Sequence, residues 1–156
     1  MMEEHGREAI NMTSIREPEW RLFAISPTNG ITLEDGTLFF PSKVPEMLPL
    51  PIVRMVARHG RLAILDPQTN GVENAIVQLS DGSIMLNARS MGETNCRTVY
   101  TTPDLGATWI EHPTNNKVLI EPGCHGSLYK HTYSVNGERK AFYCSRIRIL
   151  LKSVNV

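Results

Sequence analysis

Ile31-Thr32-Leu33-Glu34-Asp35-Gly36-Thr37-Leu38-Phe39-Phe40 is matched class for class by Val77-Gln78-Leu79-Ser80-Asp81-Gly82-Ser83-Ile84-Met85-Leu86. Each reads as a strand, an acidic-Gly turn and a returning apolar strand. The two Asp-Gly pairs stand 46 residues apart, within the ~40–50 residues that one blade of a β-propeller occupies. A third hairpin is expected with Arg97–Tyr100 and Thr108–His112 flanking Pro103-Asp104-Leu105-Gly106. No segment sustains a helical period, so the chain is expected to be all-β. Repeated antiparallel hairpins at this interval predict a partial β-propeller of four-stranded blades, whose faces are buried only against neighbouring blades. At ~45 residues per blade the chain supplies roughly three.

The ends and one internal stretch depart from this rhythm. Residues 1–19 form a polar leader, expected to be disordered, and 20–140 carry the propeller pattern. Residues 141–156 match nothing earlier, although Ser145–Val156 has the composition of one strand. Pro45–Arg61 contains three prolines, which central strands tolerate poorly. The formal net charge of +0 gives no generic attraction to nucleic acid or membrane. No apolar run approaches the length of a membrane span. The leader has no apolar core of a signal peptide, which leaves the compartment open. Cys96, Cys124 and Cys144 show no metal-ligand spacing and read as isolated thiols.

Thr102-Pro103-Asp104-Leu105-Gly106-Ala107-Thr108-Trp109 fits Ser/Thr-x-Asp-x-Gly-x-Thr-Trp, the Asp-box, at every specified position. Asp104 is expected to accept hydrogen bonds from turn N–H groups, and Gly106 to take a positive φ. Thr108 suits a departing strand and Trp109 buries a large ring. The motif is a structural device and implies no chemistry by itself.

The preceding segment is more informative. Val72-Glu73-Asn74-Ala75-Ile76-Val77-Gln78-Leu79-Ser80-Asp81-Gly82-Ser83-Ile84-Met85-Leu86-Asn87-Ala88-Arg89-Ser90 resembles the stretch of the exo-α-sialidase (neuraminidase) family that carries a catalytic Glu and one arginine of a carboxylate-binding triad. Glu121-Pro122-Gly123-Cys124-His125-Gly126-Ser127-Leu128 resembles a loop that follows the Asp-box in that family. Asn29–Ile31 and Asp35–Pro41 resemble an earlier family hairpin. The four blocks stand in family order across residues 20–43 and 71–130, and the resemblance implies a piece of a six-bladed propeller.

Hairpin geometry bears on the pair independently. A three-residue Ser80-Asp81-Gly82 loop pairs Leu79 with Ser83 and, counted outward, places Glu73 across from Arg89. A two-residue loop places Glu73 opposite Ser90. Without the surrounding motif, such a pair is an exposed ion pair worth under about 1 kcal/mol.

The resemblance implies release of terminal sialic acid from sialylated glycoconjugates. Arg89 is then a guanidinium for the substrate carboxylate, whose planar fork matches it. Glu73 is the base that takes the proton of a tyrosine nucleophile, the arrangement that distinguishes sialidases among retaining glycosidases. The chemistry needs no cofactor and no metal. Asn87 reads as a strand polar group, Cys124 and His125 lie in a loop expected to face the site, and Arg146 and Arg148 lack the context of a triad arginine. The family's first arginine, acid/base Asp, nucleophilic Tyr and third arginine have no motif counterpart, and Tyr100, Tyr129, Tyr133 and Tyr143 are misplaced for the nucleophile. The chain is therefore expected to be weak or inactive alone, the alternative being a non-catalytic propeller piece that binds glycan or protein. The family also has an Asp-box between Phe40 and Glu73. None is visible, although Arg54–Gly60 with suitable codons, shifted by two bases, reads Asp-Gly-Gly-Thr-Ala-Trp.

Overall fold

The computed structural model describes residues 24–25, 27–45, 51–57, 62–64 and 71–147, with fewer side chains than backbone in its outer strands. These residues form strands and turns, with no helix among them. The elements are β1 (Ala24–Ile25), β2 (Ile31–Thr32), β3 (Leu38–Pro45), β4 (Pro51–Ala57), β5 (Leu62–Ile64), β6 (Gly71–Gln78), β7 (Ile84–Ser90), β8 (Thr98–Thr102), β9 (Ile110–Glu111), β10 (Gly126–Val135) and β11 (Glu138–Ile147).

They make three antiparallel sheets. The central one is a complete meander in the order β6-β7-β8-β9. The first runs β1-β3-β4-β5, and β2 pairs with another part of β3, so β1 and β2 act as one interrupted edge strand. The third is the long hairpin of β10 and β11, reversed at Asn136-Gly137, where both residues have positive φ (53° and 81°). Such angles favour Asn-Gly and match the twist of the flanking strands.

The two repeated stretches fold into the same turn. Leu33 N donates to Thr37 O at 2.8 Å and Gly36 N to Leu33 O at 2.9 Å, while Leu79 N donates to Ser83 O at 2.8 Å and Gly82 N to Leu79 O at 3.2 Å. Asp35 Oδ1 and Asp81 Oδ1 each accept from the N–H two residues on, at 2.8 and 3.0 Å. Gly36 and Gly82 take φ of 81° and 87°, where any Cβ meets a steric penalty. The loop at residues 80–82 therefore has three residues.

Alternation along the strands then builds the core. Ile84, Leu86 and Ala88 of β7 lie on one face and pack with Ile76, Leu33 and Phe39, with Ile31 and Trp109 against the cluster. The Glu34 N–H donates to Gln78 Oε1 at 2.9 Å and ties the two turns together. The other face of the central sheet looks toward the third, where Asn87 Nδ2 donates to Ser145 Oγ at 3.4 Å and Ser80 Oγ bonds the Tyr143 hydroxyl at 3.1 Å. Sheets stacked through side chains on both faces are the packing that propeller blades require.

The prolines of residues 45–61 do not keep this stretch out of the sheet, because β4 lies between β3 and β5. Pro45 closes β3 and Pro51 opens β4, opposite one another, and strand ends are where a missing N–H is tolerated. Ile52–Ala57 is free of proline. At the C-terminal side β11 runs through position 140 to Ile147 without a break. The leader, residues 58–60 of the proposed frame change and 148–156 lie outside the described residues.

Candidate functional site

Glu73 and Arg89 meet at the open end of the β6–β7 hairpin. Pairing follows the expected register from Gln78↔Ile84 to Asn74↔Ala88, then shifts by one, so that Val72 and not Glu73 is the partner of Arg89. Glu73 is the extra residue of a β-bulge, with φ of 51°. The expected backbone pairing of Glu73 with Arg89 is thus corrected. The reason is positional: β6 is an edge strand, so one residue can leave the ladder without breaking bonds to a further strand. The side chains nevertheless converge. Arg89 Nη1 donates to Glu73 Oε2 at 3.2 Å, with both side chains about one-third exposed (31% and 32%). A non-glycine residue in the left-handed region costs roughly 1–2 kcal/mol, and bulges of this kind re-aim side chains beside active sites.

Beneath this pair lies a buried polar network. Arg97 and Glu121 are each 1% exposed and joined at 3.3 Å through Arg97 Nη1 and Glu121 Oε2. The same guanidinium donates to Cys124 O at 3.1 Å, to Asn87 O at 3.0 Å and, through Nε, to Asn87 Oδ1. Glu121 Oε2 also accepts from Ser90 N at 3.1 Å. Burial lowers the pKa of Arg97, and the carboxylates of Glu121 and then Glu73 oppose that shift; the group remains a cation. The loop carrying Glu121 is held by backbone bonds, Arg97 N to Leu119 O at 2.8 Å and Glu121 N to Asn95 O at 2.7 Å. Sequence reasoning missed Arg97 and Glu121 as a pair. Their signal was an arginine and a glutamate inside apolar or loop contexts 24 positions apart, which no local pattern connects.

The same loop faces Arg89. A Cβ on Gly123 would come within 4.0 Å of Arg89 Nη2, and Gly123 has φ of 78°. Arg89 Nε is buried and has no hydrogen-bond partner among the described residues. The neighbouring Cys124 is a half-buried free thiol, Cys96 a buried one, and His125 is exposed. His125 lines a cavity of about 380 Å³ together with Thr28, Asn29, Ala75, Ser127 and Tyr129. This cavity lies among the segment joining β1 to β2, β6 and β10, the first strands of the three sheets. Arg146 lies in β11, but its side chain and Arg148 fall outside the described residues. Among the described residues no three His, Cys, Asp or Glu side chains gather, and no helix is long and apolar enough to cross a membrane.

The Asp-box forms the β8–β9 reversal. Asp104 Oδ1 accepts from Thr108 N at 2.8 Å and from the Thr102 hydroxyl at 2.9 Å, and Oδ2 accepts from the Thr108 hydroxyl at 2.7 Å. Thr102 is fully buried, and its Oγ1 accepts from Gly106 N at 2.7 Å. Gly106 has φ of 89°. Thr108 precedes β9 and serves through its hydroxyl, where a strand position was expected; Trp109 carries the turn onto the core. The bonds from the Thr108 N–H and hydroxyl hold the Asp104 carboxyl below its ordinary pKa.

No protein-family model matches the chain. A sialidase from Bacteroides fragilis is 32% identical over 125 residues, 76% of this chain and 23% of that protein. Among solved structures, a Hadza microbial sialidase is 30% identical, with a TM-score of 0.72, over 86% of this chain and 27% of its own. Trypanosoma rangeli sialidase in complex with the inhibitor DANA has a TM-score of 0.62 at 17% identity, over 86% of this chain and 24% of its own, a likeness of fold. The chain thus spans about a quarter of these relatives, and its all-β sheets are part of a β-propeller.

Proposed function

From the premise that this chain belongs to the sialidase family, in sequence as in fold, we propose that its β6–β7 hairpin serves an exo-α-sialidase site, with Arg89 binding the carboxylate of a terminal sialic acid and Glu73 acting as proton acceptor. The observation that carries this reading is the bulge at Glu73, which holds a carboxylate 3.2 Å from a partly exposed guanidinium. An ordinary surface ion pair needs no strained backbone, whereas strain concentrates where a side chain must be aimed.

The division of labour follows from charge. A substrate whose carboxylate sits on the anomeric carbon repels an anionic nucleophile but is held by a permanent cation. A tyrosine oxygen attacking that carbon must lose its proton as the bond to the departing sugar oxygen breaks, and a carboxylate at hydrogen-bond distance receives it. Glu73 is suited to that role by position, because its partly exposed carboxylate stands 3.2 Å from the guanidinium that would hold the substrate. A second reading is recognition of a sialylated glycan or of protein without turnover, for which the partly exposed guanidinium of Arg89 suffices by itself.

Saturation-transfer NMR with sialic acid and hydrolysis of a fluorogenic sialoside test both readings. Binding that disappears in Arg89→Ala is expected, and such weak turnover as the chain has alone is expected to disappear in Glu73→Gln. Binding without turnover selects the second reading. A cooperatively folded chain that shows neither, or whose binding is unchanged by Arg89→Ala, removes Arg89 from the site.

A further inference from the structure

The mechanism above leaves the buried Arg97–Glu121 pair without a part, although such pairs rarely arise for stability alone, since desolvation offsets much of their attraction. We propose that Arg97 is the positioning residue of this site, holding Arg89 in its carboxylate-binding pose through Glu121 and the 121–124 loop. The inference rests on the reading of Arg89 given above.

Three observations carry it. Arg97 makes four hydrogen bonds to three separate places: the Asn87 side chain and carbonyl, the Glu121 carboxylate and the Cys124 carbonyl. Those places bracket Arg89. Asn87 lies two residues before it on the same face of β7, Glu121 Oε2 grips the N–H of Ser90 just after it, and Cys124 anchors the loop whose Gly123 faces its Nη2, 4.0 Å from where a Cβ would stand. The guanidinium that fastens these groups is itself 1% exposed, so it contacts no ligand and acts only through its neighbours. A rigid shell of this kind is what holds a ligand-binding side chain to the fraction of an ångström that recognition requires.

Arginine side-chain ¹⁵N–¹H spectra decide the matter, with the Nε–H signal of Arg89 identified by its loss in Arg89→Lys. In the unaltered chain that signal is expected to be sharp and slow to exchange with solvent. Arg97→Lys keeps the charge but loses the fork, and Glu121→Gln keeps the shape; the latter carries the test should Arg97→Lys not fold. Either folded variant is expected to speed exchange at Arg89 Nε–H at least ~10-fold and to weaken sialic acid binding by ~10- to ~100-fold. An unchanged Arg89 signal in a folded variant overturns the proposal. Loss of melting temperature with an unchanged Arg89 signal does so too, because it assigns the pair a purely structural role. If the unaltered chain binds no sialic acid, the reading of Arg89 falls, while its spectrum still shows whether Arg97 holds it.

Discussion

Asp104 is exposed, yet its carboxylate takes up two hydroxyls and a backbone N–H in one turn. These bonds favour the ionised form, so the folded-state pKa lies below the ordinary value of ~3.9. The resulting stability is complete above the unfolded-state pKa and disappears as pH falls through the lower folded-state value. Asp104→Asn, which imitates the protonated acid, is therefore expected to melt below the unaltered chain by a constant margin from pH 7 to about 4, and the margin should close on further acidification. Thermal melts across that range check it. A margin that persists undiminished in strong acid would show that the carboxylate's charge is not what holds the turn.

At the scale of elements the decisive feature is the bulge in β6. In a regular strand alanine is more stable than glycine by roughly 0.5–1 kcal/mol. At a position held at φ of 51° the order should reverse, since only glycine escapes the left-handed penalty. Glu73→Gly is thus expected to exceed Glu73→Ala in stability by about 1 kcal/mol in urea titrations, both having lost the ion pair. The opposite order would mean that Glu73 returns to a regular ladder. This bulge also marks the limit of what was legible in the residues. The hairpin and its three-residue loop follow from Asp81-Gly82, because turn chemistry is local; strand counting brought Glu73 to Arg89 as a ladder pair, whereas the two side chains meet through the bulge. The register slip was not legible, because it depends on β6 being an edge, a property of the assembled sheet. The Arg97–Glu121 pair escaped for the same reason, joining a strand to a loop through long-range contacts. Prolines 45 and 51 misled because composition does not say that they fall at strand ends.

For the molecule as a whole, the central question is whether the sheets stand alone or support one another. The first sheet contributes Leu33 and Phe39 to the same buried cluster as Ile76, Ile84, Leu86 and Ala88 of the central sheet, and Phe39 is wholly buried. A sheet with one unsealed face gains little stability by itself, so neighbouring blades are coupled through the shared layer. Removing the Phe39 ring leaves a cavity on that layer and should cost about 3–5 kcal/mol, a large part of the 5–15 kcal/mol that stabilises a typical domain. Because the loss falls on a shared layer, Phe39→Ala is expected to lower hydrogen-exchange protection in β7 as well as in β3. If amides of β3 lose protection while those of Ile84–Ala88 keep theirs, the sheets fold independently. Coupled loss would instead place the Glu73–Arg89 pair under the control of a core formed by two blades, since the strand that carries Arg89 is the one whose other face builds that core.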